Sequence, residues 1–159
     1  MGGDHAPEVV IEGAAIARRR FPDVHFLMFG DEARIRPLIE KHPKLSKAST
    51  IRHAKQAVSA EAKPSTALRQ GRDTSMQLAI KSVRDGEATG VVSAGNTGAL
   101  MAMAKVTLKT LSVIDRPAIV GYCPTLVGES VMLDLGANVD CDSNNLFQFA
   151  VMGAAYAQT

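Results

Sequence analysis

Apolar and small residues recur at helical spacing near the start of the chain and then give way to a continuous apolar run. Pro7 suits the first turn of a helix, and Pro22 closes the segment. The predicted buried face of this helix carries Val10, Gly13, Ala14 and Ala17. The apolar run at residues 24–29 predicts a strand that is buried on both faces.

Polar and helix-breaking residues predict where the next elements begin and end. Asp31 can cap a helix over residues 32–41, which the following His-Pro pair ends. Residues 50–53 predict a short strand. Residues 54–72 contain a proline, a glycine and several small polar residues, which indicates a short helix and a surface loop.

A second strongly periodic segment follows. Asp73 or Thr74 can cap a helix that ends at Gly86. Its apolar positions recur at i, i+3, i+4 and i+7, and they are Met76, Ala79, Ile80 and Val83.

The same alternation continues to the end of the chain. Val91 and Val92 predict the core of a strand, and a helix is predicted to follow over residues 98–111. Further predicted elements are strands at 118–122 and 130–135 and an amphipathic core helix at 144–158. Helices and strands in this order predict an α/β fold with a mainly parallel sheet, formed as a single domain over residues 1–159.

The composition is typical of a globular protein, and neither it nor the cysteine spacing indicates a metal site. Hydrophobic residues make up 46% of the sequence and charged residues 21%, and the formal net charge of +2 is too small to indicate nucleic-acid binding. A run of three arginines at 18–20 fits a helix C-terminus. Cys123 and Cys141 lack the spacing of a zinc site, so we interpret them as reduced thiols of a cytoplasmic protein and expect no metal and no cofactor.

The main candidate for chemistry is the stretch VVSAGNTGALMA, residues 91–102, where a predicted strand meets a predicted helix. Ligands of open parallel sheets bind at the carboxyl ends of strands, and a helix N-terminus there offers unpaired N–H groups to an anion. Glycines allow a close backbone approach, and short polar side chains add hydrogen bonds. The stretch therefore predicts a phosphate or oxyanion cradle formed by Ser93, Gly95, Asn96, Thr97 and Gly98. A plain turn with Asn96 or Thr97 as the helix cap is the alternative.

Three other stretches place glycine or polar residues at predicted strand ends. MGGDHAP, residues 1–7, contains Gly2, Gly3, Asp4 and His5. IDRPAIVGYCP, residues 114–124, contains Arg116, and LDLGANVD, residues 133–140, contains Asn138. Because such sheets gather loops along one edge, four stretches of this kind favour a shared pocket.

These motifs, together with KPSTALR, DTSMQLAI and DRPAIVGYCPT, resemble the phosphate acyltransferase (PlsX) family of bacterial phospholipid synthesis over essentially the whole chain. The resemblance implies a three-layer α/β/α fold related to isopropylmalate dehydrogenases. It also implies a reaction in which long-chain acyl-ACP and inorganic phosphate give acyl phosphate and free acyl carrier protein. Family members have a strand before the first Gly-Gly and are about twice as long, so we expect this chain to be the N-terminal part of a longer acyltransferase.

The implied chemistry assigns roles to the candidate residues. Phosphate attacks the thioester carbonyl directly, so the site must hold an anion and stabilise a developing oxyanion. We expect Asn96 and its neighbours to form the cradle and Asn138 a second polar wall. Arg116 is either a charge clamp or a structural tether, His5 a proton carrier, and Asp4 orients its turn.

Two other functions remain open from the sequence. One is a dehydrogenase of the isopropylmalate type, which would need clustered aspartates for a metal, and the other is a non-catalytic phosphate-binding fragment. For the acyltransferase, the resemblance implies a homodimer in the cytoplasm, with peripheral membrane contact made by the half that this chain lacks.

Overall fold

The computed structural model describes all residues from 1 to 159. Contacts divide them into two compact units, Met1–Leu108 and Lys109–Thr159, and each is described by itself. The chain is α/β, as predicted, and contains one parallel and one antiparallel pair of strands. None of its helices combines the length and the apolar character needed to cross a membrane.

The first unit begins with a helix and a parallel strand pair. The order is α1 (Glu8–Arg20), β1 (Phe26–Gly30), α2 (Glu32–Glu40), α3 (Pro43–Ser46) and β2 (Ser49–His53). Strands β1 and β2 pair in parallel, with Phe26 opposite Ser49 and Gly30 opposite His53. The predicted cap is confirmed, because the Asp31 carboxylate accepts a hydrogen bond from the Ala33 N–H at 3.0 Å.

The face predicted for α1 is right at Ala14, which packs against the core, and wrong at Gly13. Ile11 and Ala15 are buried, whereas Gly13 is exposed. Ile11 joins a cluster under β1 that also contains Met28, Ile35, Ile39 and Leu45. Burying an isoleucine removes more apolar surface from water than burying glycine or alanine, so α1 turns this side toward the core. The three arginines do fall in its last turn, as predicted.

A second cluster in the same unit is built by three helices. These are α4 (Pro64–Gln70), α5 (Ser75–Arg84) and α6 (Thr97–Leu108). Met76 and Ile80 of α5 pack with Ala99 and Met103 of α6. Thr74 is the α5 cap, with its hydroxyl 3.4 Å from the Gln77 N–H. Helix α6 ends earlier than predicted because Lys109 adopts a positive φ of 65°, which stops a helix.

The strand predicted at Val91 and Val92 is not formed. Val91 is partly buried against the second cluster, but Val92 is 98% exposed, and neither residue pairs with a strand. A strand requires a neighbouring backbone to accept and donate its hydrogen bonds. No neighbour takes that place here, so the segment leads into α6 without joining a sheet.

The second unit contains an antiparallel hairpin, β3 (Gly121–Thr125) and β4 (Gly128–Met132), and helix α7 (Ser143–Tyr156). Both strands are displaced from the predicted 118–122 and 130–135. The reason lies at Ile119, whose N–H donates to the Asp134 carboxylate at 2.7 Å instead of to a strand. This pair of strands is antiparallel, so the prediction of a mainly parallel sheet holds only for β1 and β2.

Helix α7 confirms the helix predicted at 144–158, and its buried face is partly polar. Asn145, Gln148 and Phe149 are buried, whereas Leu146 and Phe147 are 60% and 67% exposed. Asn145 completes a capping box with Asp142. The carboxamide of Gln148 accepts from the Asp115 N–H at 2.9 Å and donates to the Asp115 carboxylate at 2.8 Å. These hydrogen bonds satisfy the polar groups of Asn145 and Gln148, so this face of α7 can be buried.

Candidate functional site

The turn before α6 is organised by its own polar side chains. The Ser93 hydroxyl accepts from the Gly95 N–H at 3.2 Å. The carbonyl oxygen of the Asn96 side chain accepts from the Ala99 N–H at 2.9 Å, and its backbone carbonyl accepts from Leu100 at the same distance. Asn96 is therefore the N-cap of α6, as the turn-and-cap alternative predicts.

Two backbone donors at the start of α6 have no acceptor in the chain. The N–H groups of Thr97 and Gly98 make no hydrogen bond, and both residues are exposed. They point from the positive end of a twelve-residue helix. Such a pair of free donors can bind one oxygen or two oxygens of an anion.

The amide nitrogen of Asn96 faces inward to a neighbouring loop. It lies 2.9 Å from the carbonyl oxygen of Ala60, 2.9 Å from that of Ala62 and 3.3 Å from that of Ser59. The sequence predicted that this amide donates to a ligand, and that role stays a prediction. What the structure adds is a set of protein acceptors that no local sequence pattern indicated.

The glycine turn at the beginning of the chain lies against the same region. A Cβ atom at Gly3 would come within 2.6 Å of the Ala94 carbonyl oxygen, and one at Gly2 within 2.5 Å of the Val58 carbonyl oxygen. Gly2 also has a positive φ of 99°, which favours glycine. The structure thus brings together two of the four predicted stretches, 1–7 and 91–98. The Asp4 and His5 side chains are exposed there and make no hydrogen bond within the chain.

The other two stretches meet in the second unit. The Asn138 amide donates to the Pro117 carbonyl at 3.0 Å and to the Asp134 carboxylate at 3.1 Å. The Arg116 guanidinium donates to the Asp140 carbonyl at 3.0 Å, which is the contact that the tether alternative predicts. Each unit therefore contains one pair of the four stretches.

Asp134 is the electrostatic centre of this second pair. Partial burial acts to raise the pKa of its carboxyl group, but the N–H donors of Ile119 and Asn138, with help from the Asn138 amide, outweigh burial and lower the pKa. A carboxylate with this many donors is held as an anion at neutral pH and serves as an acceptor. Asp134 was not among the predicted site residues, although its place at a predicted strand end could have indicated it.

A separate concavity of about 500 Å³ lies at the carboxyl ends of β1 and β2. It is lined in part by Asp31, Arg36 and His53. Arg36 pairs with Glu32, and the Glu32 N–H donates to the His53 ring at 3.3 Å. Its polar groups are thus engaged with one another. No group of three metal-ligating side chains comes together anywhere in residues 1–159.

Comparisons with known proteins define the class. The chain matches the family described as "Fatty acid synthesis protein" over residues 1–159. It therefore belongs to that family. A protein from Rhodospirillum centenum named "Phosphate acyltransferase" is 64% identical to it over 159 residues, which are 100% of this chain and 45% of the relative. Proteins of the same name from Rhodospirillum rubrum and Paramagnetospirillum magneticum are 61% and 59% identical, over 100% and 99% of the chain and 46% and 45% of the relatives. The chain thus spans a little under half the length of these relatives.

Proposed function

We propose that this chain is the phosphate-binding part of a phosphate acyltransferase, which transfers an acyl group from acyl carrier protein to inorganic phosphate. The observation that supports this most is the pair of free N–H groups at Thr97 and Gly98, in a chain whose relatives are named phosphate acyltransferases. An anion site is what a reaction of phosphate needs first.

In the proposed reaction, a phosphate oxygen attacks the thioester carbonyl carbon. A new carbon–oxygen bond forms, the carbon–sulfur bond breaks, and the carrier thiolate takes the proton from hydrogen phosphate. The products are acyl phosphate and the free thiol of the carrier protein. The enzyme must hold one anion next to a carbonyl and stabilise the negative charge that develops on the carbonyl oxygen.

The start of α6 supplies suitable donors. The N–H groups of Thr97 and Gly98 bind phosphate, and the hydroxyl groups of Ser93 and Thr97 complete the cradle. Gly2 allows the first turn to lie against residue 58 and Gly3 allows it to lie against residue 94, and Asp4 and His5 follow in the same unit. His5 carries the proton in this proposal, and Asp4 orients its turn.

The side chains of Arg116 and Asn138 are less available to a ligand. Both already bond to protein carbonyl groups, at Asp140 and Pro117 respectively. Asn138 still serves as a polar wall if its Asp134 contact opens, and Arg116 holds the loop that carries it. These roles follow the family resemblance, and mutation of each tests them.

The wider proposal concerns fold, partners and location. The parallel pair β1 and β2 belongs to a three-layer α/β/α arrangement of the isopropylmalate dehydrogenase type. The enzyme is a cytoplasmic homodimer that takes acyl carrier protein and phosphate as partners, and it touches the membrane through a part outside these residues. The names of the relatives favour transfer of an acyl group over the dehydrogenase alternative.

Titration of the isotope-labelled chain with inorganic phosphate tests the site. We expect the backbone amide resonances of Thr97 and Gly98 to shift and saturate, while chloride at equal ionic strength leaves them in place. Saturating shifts at a distant surface and none at α6 would contradict the proposal.

A chimera tests the reaction. It joins this chain to the remaining part of the Rhodospirillum centenum relative, and acyl phosphate formation from acyl carrier protein is followed. Because the chain spans 45% of that relative, a non-catalytic fragment is the second candidate. Phosphate binding by the chain without acyl phosphate formation by the chimera would support that second candidate.

A further inference from the structure

We infer that Asn96 is a positioning residue that ties the loop at residues 59–62 to the start of α6. Its amide group contacts three carbonyl oxygens of this loop, at Ser59, Ala60 and Ala62. These acceptors lie 34 to 37 residues earlier in the chain, so the contact joins two separate segments of the first unit.

The loop has no other hydrogen bond to the rest of the protein. Within it, the Ala62 N–H donates to the Ser59 carbonyl at 3.1 Å and the Glu61 N–H to the Ser59 hydroxyl at 3.3 Å. Ser59, Ala60 and Glu61 are exposed. Ala62 is partly buried against the second cluster, so it is the order of the exposed residues 59–61 that depends strongly on the Asn96 side chain.

The segments on both sides of the loop are anchored independently. Val58 before it and Ala67 after it are buried in the second cluster, and the Gln56 carbonyl accepts from the Ser75 N–H at 2.9 Å. The ring of Pro64 packs beside α6, where a Cβ atom at Gly98 would lie 3.1 Å from its Cγ. Loss of the Asn96 contact would thus release residues 59–61 without unfolding α4 or the cluster.

The planar side-chain amide of Asn96 makes two kinds of contact. Its oxygen caps α6 through the Ala99 N–H, and its nitrogen holds the loop. Because the two atoms belong to one rigid amide, the loop and the turn that presents Thr97 and Gly98 are fixed relative to each other. If these two residues bind phosphate, which rests on the function proposed above, then loop order and phosphate affinity are coupled.

Asn96→Ser and Asn96→Ala separate the two tasks. Serine retains an oxygen that can cap α6 but removes the donors to the loop, and alanine removes both. We expect amide hydrogen exchange at Glu61 and Ala62 to accelerate roughly tenfold to a hundredfold in both variants, since about two good hydrogen bonds are lost. Exchange in α6 should accelerate only in Asn96→Ala. Gln77→Ala is the matched control, because it removes another side-chain amide contact in this unit, to Thr107 at 2.8 Å, and should leave the loop unchanged.

A measurement on the unmutated chain does not depend on how the variants fold. The side-chain amide protons of Asn96 should exchange more slowly with solvent than those of Gln70, which is exposed and has no hydrogen-bond partner. Equal exchange of the two amides, or unchanged loop exchange in a folded Asn96→Ser chain, would overturn the inference.

Kinetics of the chimera distinguish positioning from direct donation. A loosened loop is ordered again by saturating phosphate, so Asn96→Ser should raise KM for phosphate about tenfold and keep kcat within about threefold. A direct donor to the transition state would instead lose roughly a hundredfold in kcat, which would overturn the positioning role. An inactive unmutated chimera would count against the proposed function alone, and the exchange measurements would still decide whether Asn96 holds the loop.

Discussion

A Cβ atom added to Gly3 would lie 2.6 Å from the carbonyl oxygen of Ala94. The first turn and the turn before α6 are therefore in contact through backbone atoms, and a side chain at position 3 forces one of them to move. Gly3→Ala should lower the free energy of unfolding by about 1–3 kcal/mol, as overpacking does.

Gly13→Ala is the control for that measurement in denaturant unfolding. Gly13 lies within α1, and a Cβ atom there would meet nothing within 4 Å. Alanine should stabilise the helix by about 1 kcal/mol because glycine is a poor helix former. Equal effects of the two substitutions would contradict close packing at Gly3.

Thr97→Pro tests the free donors at the start of α6. Proline removes the Thr97 N–H, which has no acceptor in the chain, and it is tolerated in the first turn of a helix. We expect the midpoint of unfolding to change little and phosphate affinity to fall roughly tenfold, since a hydrogen bond to a charged group is lost.

Thr97→Ala accompanies it, because this variant removes the hydroxyl and keeps the N–H. Calorimetric titration with phosphate gives both affinities. Because proline removes the hydroxyl as well as the N–H, an equal loss of affinity in the two variants would assign the contact to the hydroxyl group and not to the backbone.

Asp134 predicts a specific pH dependence of stability. Its pKa is lower in the folded chain than the ordinary value, so the unfolded chain binds the proton more readily. The stabilisation is present above the unfolded pKa of about 3.9 and is lost as pH falls through the folded pKa. The difference in free energy of unfolding between the unmutated chain and Asp134→Asn should shrink as the pH falls from about 5 through the folded pKa.

Asp23→Asn serves as the control in the same urea titrations. Asp23 is exposed and makes no side-chain hydrogen bond in the chain. A pH-independent difference for Asp134→Asn would show that its donors do not favour the ionised form.

Phe149 and Phe147 test the unusual burial pattern of α7. Phe149 is 4% exposed and Phe147 is 67% exposed. Phe149→Ala should lower the free energy of unfolding by about 3–5 kcal/mol through the cavity it leaves. Phe147→Ala should change it by less than about 0.5 kcal/mol, as surface substitutions do. The reverse order would contradict the burial of Phe149 and the exposure of Phe147.

The sequence predicted those helix caps and short elements that depend on interactions between neighbouring residues. Asp31 was identified as a cap, and Thr74 as one of two candidates beside Asp73, because a cap acts on N–H groups two or three residues away. Strand β2 and the short helix α4 were predicted for the same reason, since proline, glycine and alternating residues act locally. A capping role for Asn96 or Thr97 was also predicted, as the alternative to an anion cradle.

Long-range partners explain what the sequence did not predict. Val91 and Val92 have strand-like side chains, but a strand also requires a neighbour, and local sequence does not provide one. The burial of Gln148 depends on Asp115, 33 residues earlier. Likewise, the acceptors of the Asn96 amide belong to a loop that lies 34 to 37 residues earlier in the chain.

The unpaired segment at Val91 and Val92 has a consequence for the life of the chain in a cell. An extended apolar stretch with free backbone groups is a template for association with other polypeptides. Residues 91 and 92 are synthesised before α6, so this apolar dipeptide stays uncovered until the second cluster forms. We therefore expect aggregation on overexpression to depend on it, and Val92→Lys to raise the yield of folded chain without loss of packing, because the Val92 side chain is 98% exposed.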